Sequence, residues 1–185
     1  SAIYYILESI TIREANKIEK PLAVSYNNLA LIYQANGDTN EAIDYFRQAD
    51  IVAAKFQDYR VRAVIISNMA SVYDDMHKYD SAMYYYRLSL NFCDSLSDAK
   101  GKAGAMINMA VVFRNIGEFE TALTYLLDAL RIKDSIGDVT GIANASHELA
   151  ETFRLQKKFD LSEKYLLRAD TLAQKLRNKE LQRVV

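Results

Sequence analysis

Apolar residues recur along this chain with the spacing of amphipathic helices, in segments separated by short polar turns. The stretch NNLALIYQANGDTNEAIDYF, residues 27–46, contains two such segments joined at NGDT. Gly37 in this turn suits a left-handed residue that ends the first helix. One face of each predicted helix is apolar: Tyr26, Leu29, Ala30 and Tyr33 in the first, and Ala42, Tyr45, Phe46 and Ala49 in the second. The pattern predicts paired α-helices throughout.

The same pattern returns every 40 residues. NLA at 28–30 is followed by NMA at 68–70 and 108–110, and by ELA at 148–150. Four further columns keep this step: Tyr33, Tyr73, Phe113 and Phe153; Ala42, Ala82, Ala122 and Ser162; Tyr45, Tyr85, Tyr125 and Tyr165; Ala49, Ser89, Ala129 and Ala169. A register of this kind indicates a helical repeat array, in which each helix pair buries its apolar face against neighbouring pairs.

The register sets the boundaries of a single array over 1–185. Its repeats are predicted at 21–58, 61–98, 101–138 and 141–178. Residues 1–19 match the second helix of a further repeat, and residues 179–185 are predicted to start a next first helix. We therefore expect a segment of a longer protein, or ends that another subunit buries, with self-association through these truncated ends. The apolar residues expected to be exposed at the first edge are Ile3, Ile6, Ile10 and Ile12.

The columns also predict which residues begin and end the helices. Short acceptor side chains precede each new helix and are expected to be N-caps: Asp58, Asp98, Asp138 and Asn178. Gly37 and Gly117 end first helices, and His77 and Lys157 take their place in the other repeats. Because lysine tolerates a left-handed backbone poorly, we expect the turn at Lys157 to be looser.

These columns resemble those of the tetratricopeptide repeat. The matching residues are Leu29, Ala30, Tyr33, Gly37, Ala42, Tyr45, Phe46 and Ala49, and in the third repeat Met109, Ala110, Phe113, Gly117, Ala122, Tyr125, Leu126 and Ala129. The resemblance implies an all-α fold, an α-solenoid in which antiparallel helix pairs form a right-handed superhelix. The early tryptophan of the family is replaced by Tyr26, Ile66, Met106 and Ser146. The 40-residue unit is longer than the usual length of about 34 residues and is similar to repeats of kinesin light chains, spindle-orientation adaptors and bacterial signalling regulators.

In this family a second stripe on each first helix lines the concave surface. The resemblance places there Asn28, Asn68 and Asn108, together with Asn27, Leu31, Ser71, Asp74, Val111, Arg114, His147, Glu151 and Arg154. An asparagine amide offers two donors and an acceptor, so the three column members are predicted to hold the backbone of an extended peptide. The alternative is that they bond a neighbouring helix and order the stack. A chaperone-type carboxylate clamp is not expected, because Asn27, Gly104 and Asn108 stand where that clamp needs lysines.

Composition narrows the choice of partner. The 185 residues carry a net charge of −1 without a block of like charge, which argues against nucleic acid or an anionic membrane as the main partner. No uninterrupted run of about 18 apolar residues is present, so membrane insertion is not expected. The single cysteine, Cys93, leaves the cellular compartment open.

One string looks catalytic. HELAE, at 147–151, resembles the zinc-protease motif HExxH, but glutamate replaces the second histidine and no third ligand is evident. His147, Glu148 and Glu151 also occupy repeat positions that face the groove, so an ordinary polar groove wall explains them. The sequence contains neither a glycine-rich phosphate loop nor a plausibly spaced set of Ser, His and Asp. We therefore predict no enzyme activity, no metal and no cofactor.

Two hypotheses of function follow. The first is a non-catalytic interaction module that binds a peptide or protein partner in its concave groove. The alternative is a sensory or regulatory arm of a larger bacterial signalling protein that carries a histidine kinase or DNA-binding output domain. Sequence on either side of the array would distinguish them, since an output domain or a membrane span would favour the second.

Overall fold

A computed structural model describes residues 2–181, and over this range it contains α-helices and no strand. The helices are α1 (Ala2–Ala15), α2 (Leu22–Asn36), α3 (Thr39–Lys55), α4 (Tyr59–Asp75), α5 (Tyr79–Ser95), α6 (Ala99–Asn115), α7 (Phe119–Ser135), α8 (Val139–Leu155) and α9 (Phe159–Leu181). None of these helices is both long enough and apolar enough to cross a membrane.

The chain forms two compact units, Ser1–Ser97 and Asp98–Val185. In the first unit α2 packs on α3, α4 packs on α5, and α1 packs on α2. The two first helices, α2 and α4, also contact each other directly. In the second unit α6 packs on α7 and α8 on α9, and the first helices α6 and α8 are again in contact. The predicted helix pairs are thus the building blocks of both units.

Small residues and stacked rings form the core of each pair. In the first unit Ala30 and Ala42 are fully buried, so the backbones of α2 and α3 approach closely. Beside them the rings of Tyr33 and Tyr45 stack with centroids 5.4 Å apart. The same ring pair recurs in the later repeats: Tyr73 with Tyr85 at 5.3 Å, Phe153 with Tyr165 at 5.7 Å, and Phe113 with Tyr125 at 5.2 Å, the last pair tilted by 41°. The repeated aromatic columns therefore pack against the core of each unit, and most of their rings are half-buried.

Left-handed residues end the first helices, as predicted. Gly37 and Gly117 have φ of 86°, His77 has 56° and Lys157 has 60°. The expectation of a looser turn at Lys157 was wrong. Its N–H bonds the Arg154 carbonyl at 2.9 Å, and the next N–H bonds the Phe153 carbonyl at 2.9 Å. These two bonds are the ones that close the Gly117 turn, and they hold the lysine backbone in place.

Three of the four predicted N-caps are confirmed. The carboxylates of Asp58, Asp98 and Asp138 accept hydrogen bonds from the backbone N–H groups of Val61, Gly101 and Gly141 at 3.2, 3.0 and 3.1 Å. Asn178 is not a cap, because α9 continues without a break to Leu181. The residues before it, QKLR at 174–177, are all good helix formers. Most of the predicted next helix, at 182–185, lies outside the described residues.

Three of the four isoleucines expected to be exposed at the N-terminal edge of the array are buried or partly buried. Ile10 is buried, and Ile3 and Ile6 pack against the core of the first unit. The reason is their spacing of three and four residues, which places them on the face of α1 that packs toward α2. Ile12 is exposed as expected, and the other large exposed apolar side chains of α1 are Tyr4, Tyr5 and Leu7.

Candidate peptide-binding face

The first helices of the first unit share one face on the side away from their partner helices. We call it the first-helix face of unit 1, and its members are Val24, Asn27, Asn28, Leu31 and Gln34 of α2 and Val64, Ser67, Asn68, Ser71, Asp74 and Asp75 of α4. The spacing of these residues turns them away from Leu29 and Ala30, which are fully buried in the helix pair. The face combines the exposed apolar side chains of Val24, Leu31 and Val64 with polar side chains that range from buried to exposed.

Asparagines cross-link the two helices of this face. The Nδ2 of Asn68 on α4 donates to Oδ1 of Asn27 on α2 at 3.0 Å. Asn27 is itself buried, and its Nδ2 lies 3.4 Å from Oδ1 of Asn28. Asn28 is exposed. Asn68 and Asn27 therefore order the packing of α2 against α4, while Asn28 presents its amide at the surface.

A second polar link lies nearer the C-terminal ends of the same helices. The Nε2 of Gln34 lies 3.2 Å from Oγ of Ser71 and 2.7 Å from Oδ2 of Asp75. Ser71 also hydrogen-bonds Tyr86, which is buried on α5. Burial, together with the negative charge of Asp74 nearby, raises the pKa of Tyr86. The C-terminal half of this face is thus a fixed, acidic polar surface.

An apolar pocket opens between α2 and α4 at the other end of the face. Its volume is about 160 Å³, and its lining is Val24, Asn27, Arg60, Val61, Val64 and Ile65. Val24 and Val64 are 49% and 54% exposed, although their side chains are fully apolar. A neighbouring cavity of about 240 Å³ shares Val24 and Val61, and its lining also includes Lys20, Phe56 and Asp58. Arg60 thus lines the first cavity, and Lys20 and Asp58 line the second.

The site residues predicted from the sequence did not include Val24, Val64 or Arg60. A usable signal was present. The column of Val24 and Val64 continues as Gly104 and Asn144, so its apolar character is confined to the first two repeats. The column of Arg60 reads Lys20, Arg60, Lys100 and Thr140, a basic residue in three successive repeats.

The first-helix face of unit 2 is held by charged pairs. Arg114 on α6 donates to Glu148 on α8 at 2.6 Å, and both side chains are largely shielded from solvent. Arg154 pairs with Glu151 at 2.7 Å within α8, and this hydrogen bond lowers the pKa of Glu151. His147 is exposed. Both glutamates of the HELAE string are thus engaged by arginines.

The structure places each predicted site residue in one of the two units. Asn27, Asn28, Leu31, Asn68, Ser71 and Asp74 belong to the first-helix face of unit 1, and Asn108, Val111, Arg114, His147, Glu151 and Arg154 to that of unit 2. In residues 3–177 no three His, Cys, Asp or Glu side chains lie close enough together to hold a metal ion.

The sequence pattern of the tetratricopeptide repeat matches residues 21–95 and 101–175. The chain belongs to the tetratricopeptide repeat family. This confirms the predicted family and, with the helices described above, the predicted all-α fold of stacked helix pairs. Proteins built on this repeat are typically non-catalytic scaffolds for protein–protein interaction, so the partners that the fold implies are proteins.

Several solved structures share the fold. BtubC (BKLC) from P. vanneervenii is 22% identical with a TM-score of 0.78, over 94% of this chain and 72% of that one. A Rap protein complexed with Competence and Sporulation Factor is 20% identical with a TM-score of 0.86, over 96% of this chain and 50% of that one. A kinesin light chain-like protein from Podosopora anserina is 16% identical with a TM-score of 0.67, over 95% and 87%. The chain thus spans half the length of the Rap protein. No curated protein sequence matches the chain.

Proposed function

We propose that this chain is a non-catalytic module that binds a peptide segment of a protein partner on its first-helix faces, in the concave groove expected of the family. The observation that carries the proposal is the composition of the first-helix face of unit 1. Val24, Leu31 and Val64 are exposed apolar side chains on a wall whose polar residues are already tied to one another. Such a wall buries apolar groups of a ligand without having to reorganise first.

The asparagines have different parts in this proposal. The exposed amide of Asn28 is placed to bond the backbone of an extended peptide. Asn68 has one amide hydrogen engaged by Asn27, so its contribution to a ligand would come from its remaining donor and acceptor. Asn108 is half-buried on α6 and would serve the second unit. Backbone contacts of this kind give affinity with little choice of sequence.

The charge composition of the chain argues against nucleic acid and anionic membranes as partners of this segment. A net charge of −1 provides no excess of cations for the phosphates of nucleic acid or for anionic lipid. One similar structure is a Rap protein complexed with Competence and Sporulation Factor, so that protein, which shares this fold, binds this factor. The alternative function, a regulatory arm of a larger bacterial signalling protein, stays a prediction, as does self-association through the ends.

The proposal is tested by selection of random displayed peptides on the immobilised chain, followed by binding measurements with the enriched peptides. We expect Leu31→Ser to weaken binding, because Leu31 is exposed on the first-helix face. Ile51→Ser is the control, since Ile51 is also an exposed apolar residue and lies on the second helix α3. Failure to enrich any peptide, or binding that depends on Ile51 and not on Leu31, would exclude the proposed function.

A further inference from the structure

We propose that the apolar pocket between α2 and α4 binds an aliphatic side chain of the peptide, and that Arg60 in its lining, with Lys20 of the neighbouring cavity, binds an acidic side chain adjacent to it. This inference rests on the proposed function and specifies the ligand of the same face. It assigns to the first unit a preference for a peptide that carries Asp or Glu beside Leu, Ile or Val.

The dimensions of the pocket suit a side chain. Its volume of about 160 Å³ is well below the roughly 300–1,000 Å³ of sites that enclose a whole small molecule. The exposed Val24 of α2 and Val64 of α4 both line the pocket, and the buried Ile65 lines it as well. An aliphatic group inserted into the pocket would remove apolar surface of the ligand and of these valines from water. The second unit has Gly104 and Asn144 in these positions and lacks the apolar walls.

The charge at the rim is positive. Arg60 is the second residue of α4 and is exposed, and no carboxylate of the described residues lies within ion-pair distance of it. An arginine at a helix N-terminus adds its charge to the partial positive charge of the free N–H groups there. Lys20 lies 3.7 Å from Asp58, so Asp58 offsets the charge of Lys20 in part. A carboxylate beside the pocket would give Arg60 an ion-pair partner that the described residues do not provide.

The opposite end of the face has the opposite sign, because Asp74 and Asp75 lie near the C-terminal end of α4. An acidic residue of a peptide is therefore favoured at the Arg60 end and disfavoured at the other. Phosphate groups of nucleic acid would need a longer row of cations and would leave the apolar walls uncovered. An acidic residue next to an aliphatic one satisfies both features.

The test compares the peptides enriched by the wild-type chain with those enriched by Arg60→Glu and Val64→Ser. Both residues are exposed, so these variants are expected to fold. We expect Asp or Glu beside an aliphatic residue in the wild-type set, Lys or Arg at that position with Arg60→Glu, and loss of the aliphatic preference with Val64→Ser. Arg87→Glu and Ile51→Ser change exposed residues of the second helices and should leave the enriched motif unchanged.

Binding measurements with a synthetic enriched peptide give the contribution of each of its two side chains to the affinity. With an amidated C-terminus, replacing its acidic residue by the amide should weaken binding about threefold, as for an exposed ion pair. Replacing its aliphatic residue by Ser should weaken binding about tenfold. The inference is wrong if peptides are enriched without this motif, if Arg60→Glu leaves their charge unchanged, or if only the peptide with a free C-terminal carboxylate binds. In those three cases peptide binding itself stands, whereas enrichment of no peptide contradicts both proposals.

Discussion

Asn68 on α4 donates a hydrogen bond to Asn27 on α2, and this bond joins the two first helices of the first unit across the face that we propose as the peptide site. The asparagine column is therefore structural in at least one of its members. Peptide contact and helix packing are not exclusive roles, because an amide has donors and an acceptor to spare.

The two roles separate in stability measurements. Asn68→Ala should lower the free energy of unfolding by about 1 kcal/mol, because it leaves the buried Asn27 carbonyl oxygen without this donor. Asn28→Ala should change it by less than about 0.5 kcal/mol, because Asn28 is exposed. Urea unfolding followed by circular dichroism measures both values. Equal losses of unfolding free energy in Asn68→Ala and Asn28→Ala would contradict the structural role of the hydrogen bond between Asn68 and Asn27.

The side chain of Lys133 fills the space beside Gly141. Lys133 is buried on α7, where its Nζ bonds Oδ2 of Asp138 and the Lys100 carbonyl, each at 2.9 Å. A Cβ at Gly141 would lie 2.4 Å from Cδ of Lys133. Gly141→Ala should therefore destabilise the chain by about 1–3 kcal/mol, although alanine normally favours a helix over glycine.

The same substitution should become less costly once the lysine is shortened. Two repeats earlier the equivalent positions are Ala53 and Val61, a small residue and a larger one. In a Lys133→Ala background we expect Gly141→Ala to cost less than in the wild type, because of the two side chains that the new Cβ would crowd only Asp138, with Oδ2 at 2.7 Å, remains. A thermal or urea double-mutant cycle gives the coupling. Additive effects of the two substitutions would contradict the proposed steric match.

Asp138 makes stability depend on acid pH. The hydrogen bond from Lys133 holds the pKa of this carboxyl below its usual value. A carboxyl whose pKa is lower in the folded state stabilises that state above its ordinary pKa of about 4 and loses this contribution as the pH falls through the folded-state pKa. The stability difference between wild type and Asp138→Asn should therefore be largest near neutral pH and shrink in acid. Asp44→Asn, at an exposed site, is the control, and a difference that is constant with pH would exclude the mechanism.

Ser146 has a hydroxyl that the fold does not use. Its side chain is fully buried on α8, and its Oγ has no hydrogen-bond partner among the described residues. Ser146→Ala should raise the free energy of unfolding by about 1 kcal/mol, because it removes a buried unpaired polar group and favours the helix. Ser25→Ala is a matched comparison, since the equally buried Ser25 bonds the Pro21 carbonyl at 3.2 Å. A loss of stability in Ser146→Ala would contradict this account.

The helix pairs were predictable because each depends on residues close in sequence. The aspartate caps and the left-handed turns each follow from one repeated column, and the paired rings of Tyr33 and Tyr45 follow from two. The contacts of the candidate site were not predictable from the sequence. They join residues about 40 positions apart, and each of these side chains has several possible partners. No periodicity indicates that Asn68 bonds Asn27 rather than Asn28, or that Arg114 reaches Glu148. A residue that breaks a column, such as Lys133 in the column of Ala53, required the structure to show what faces it.

Photocrosslinking tests the central claim, binding on the first-helix face, most directly. A benzophenone amino acid is placed at Leu31 of α2 or, as the control, at Ile51 of α3, both of which are exposed apolar sites of the first unit. With a peptide enriched by the wild-type chain, the account predicts a crosslinked product at position 31 and none at position 51. Crosslinking at position 51 with none at position 31 would contradict it.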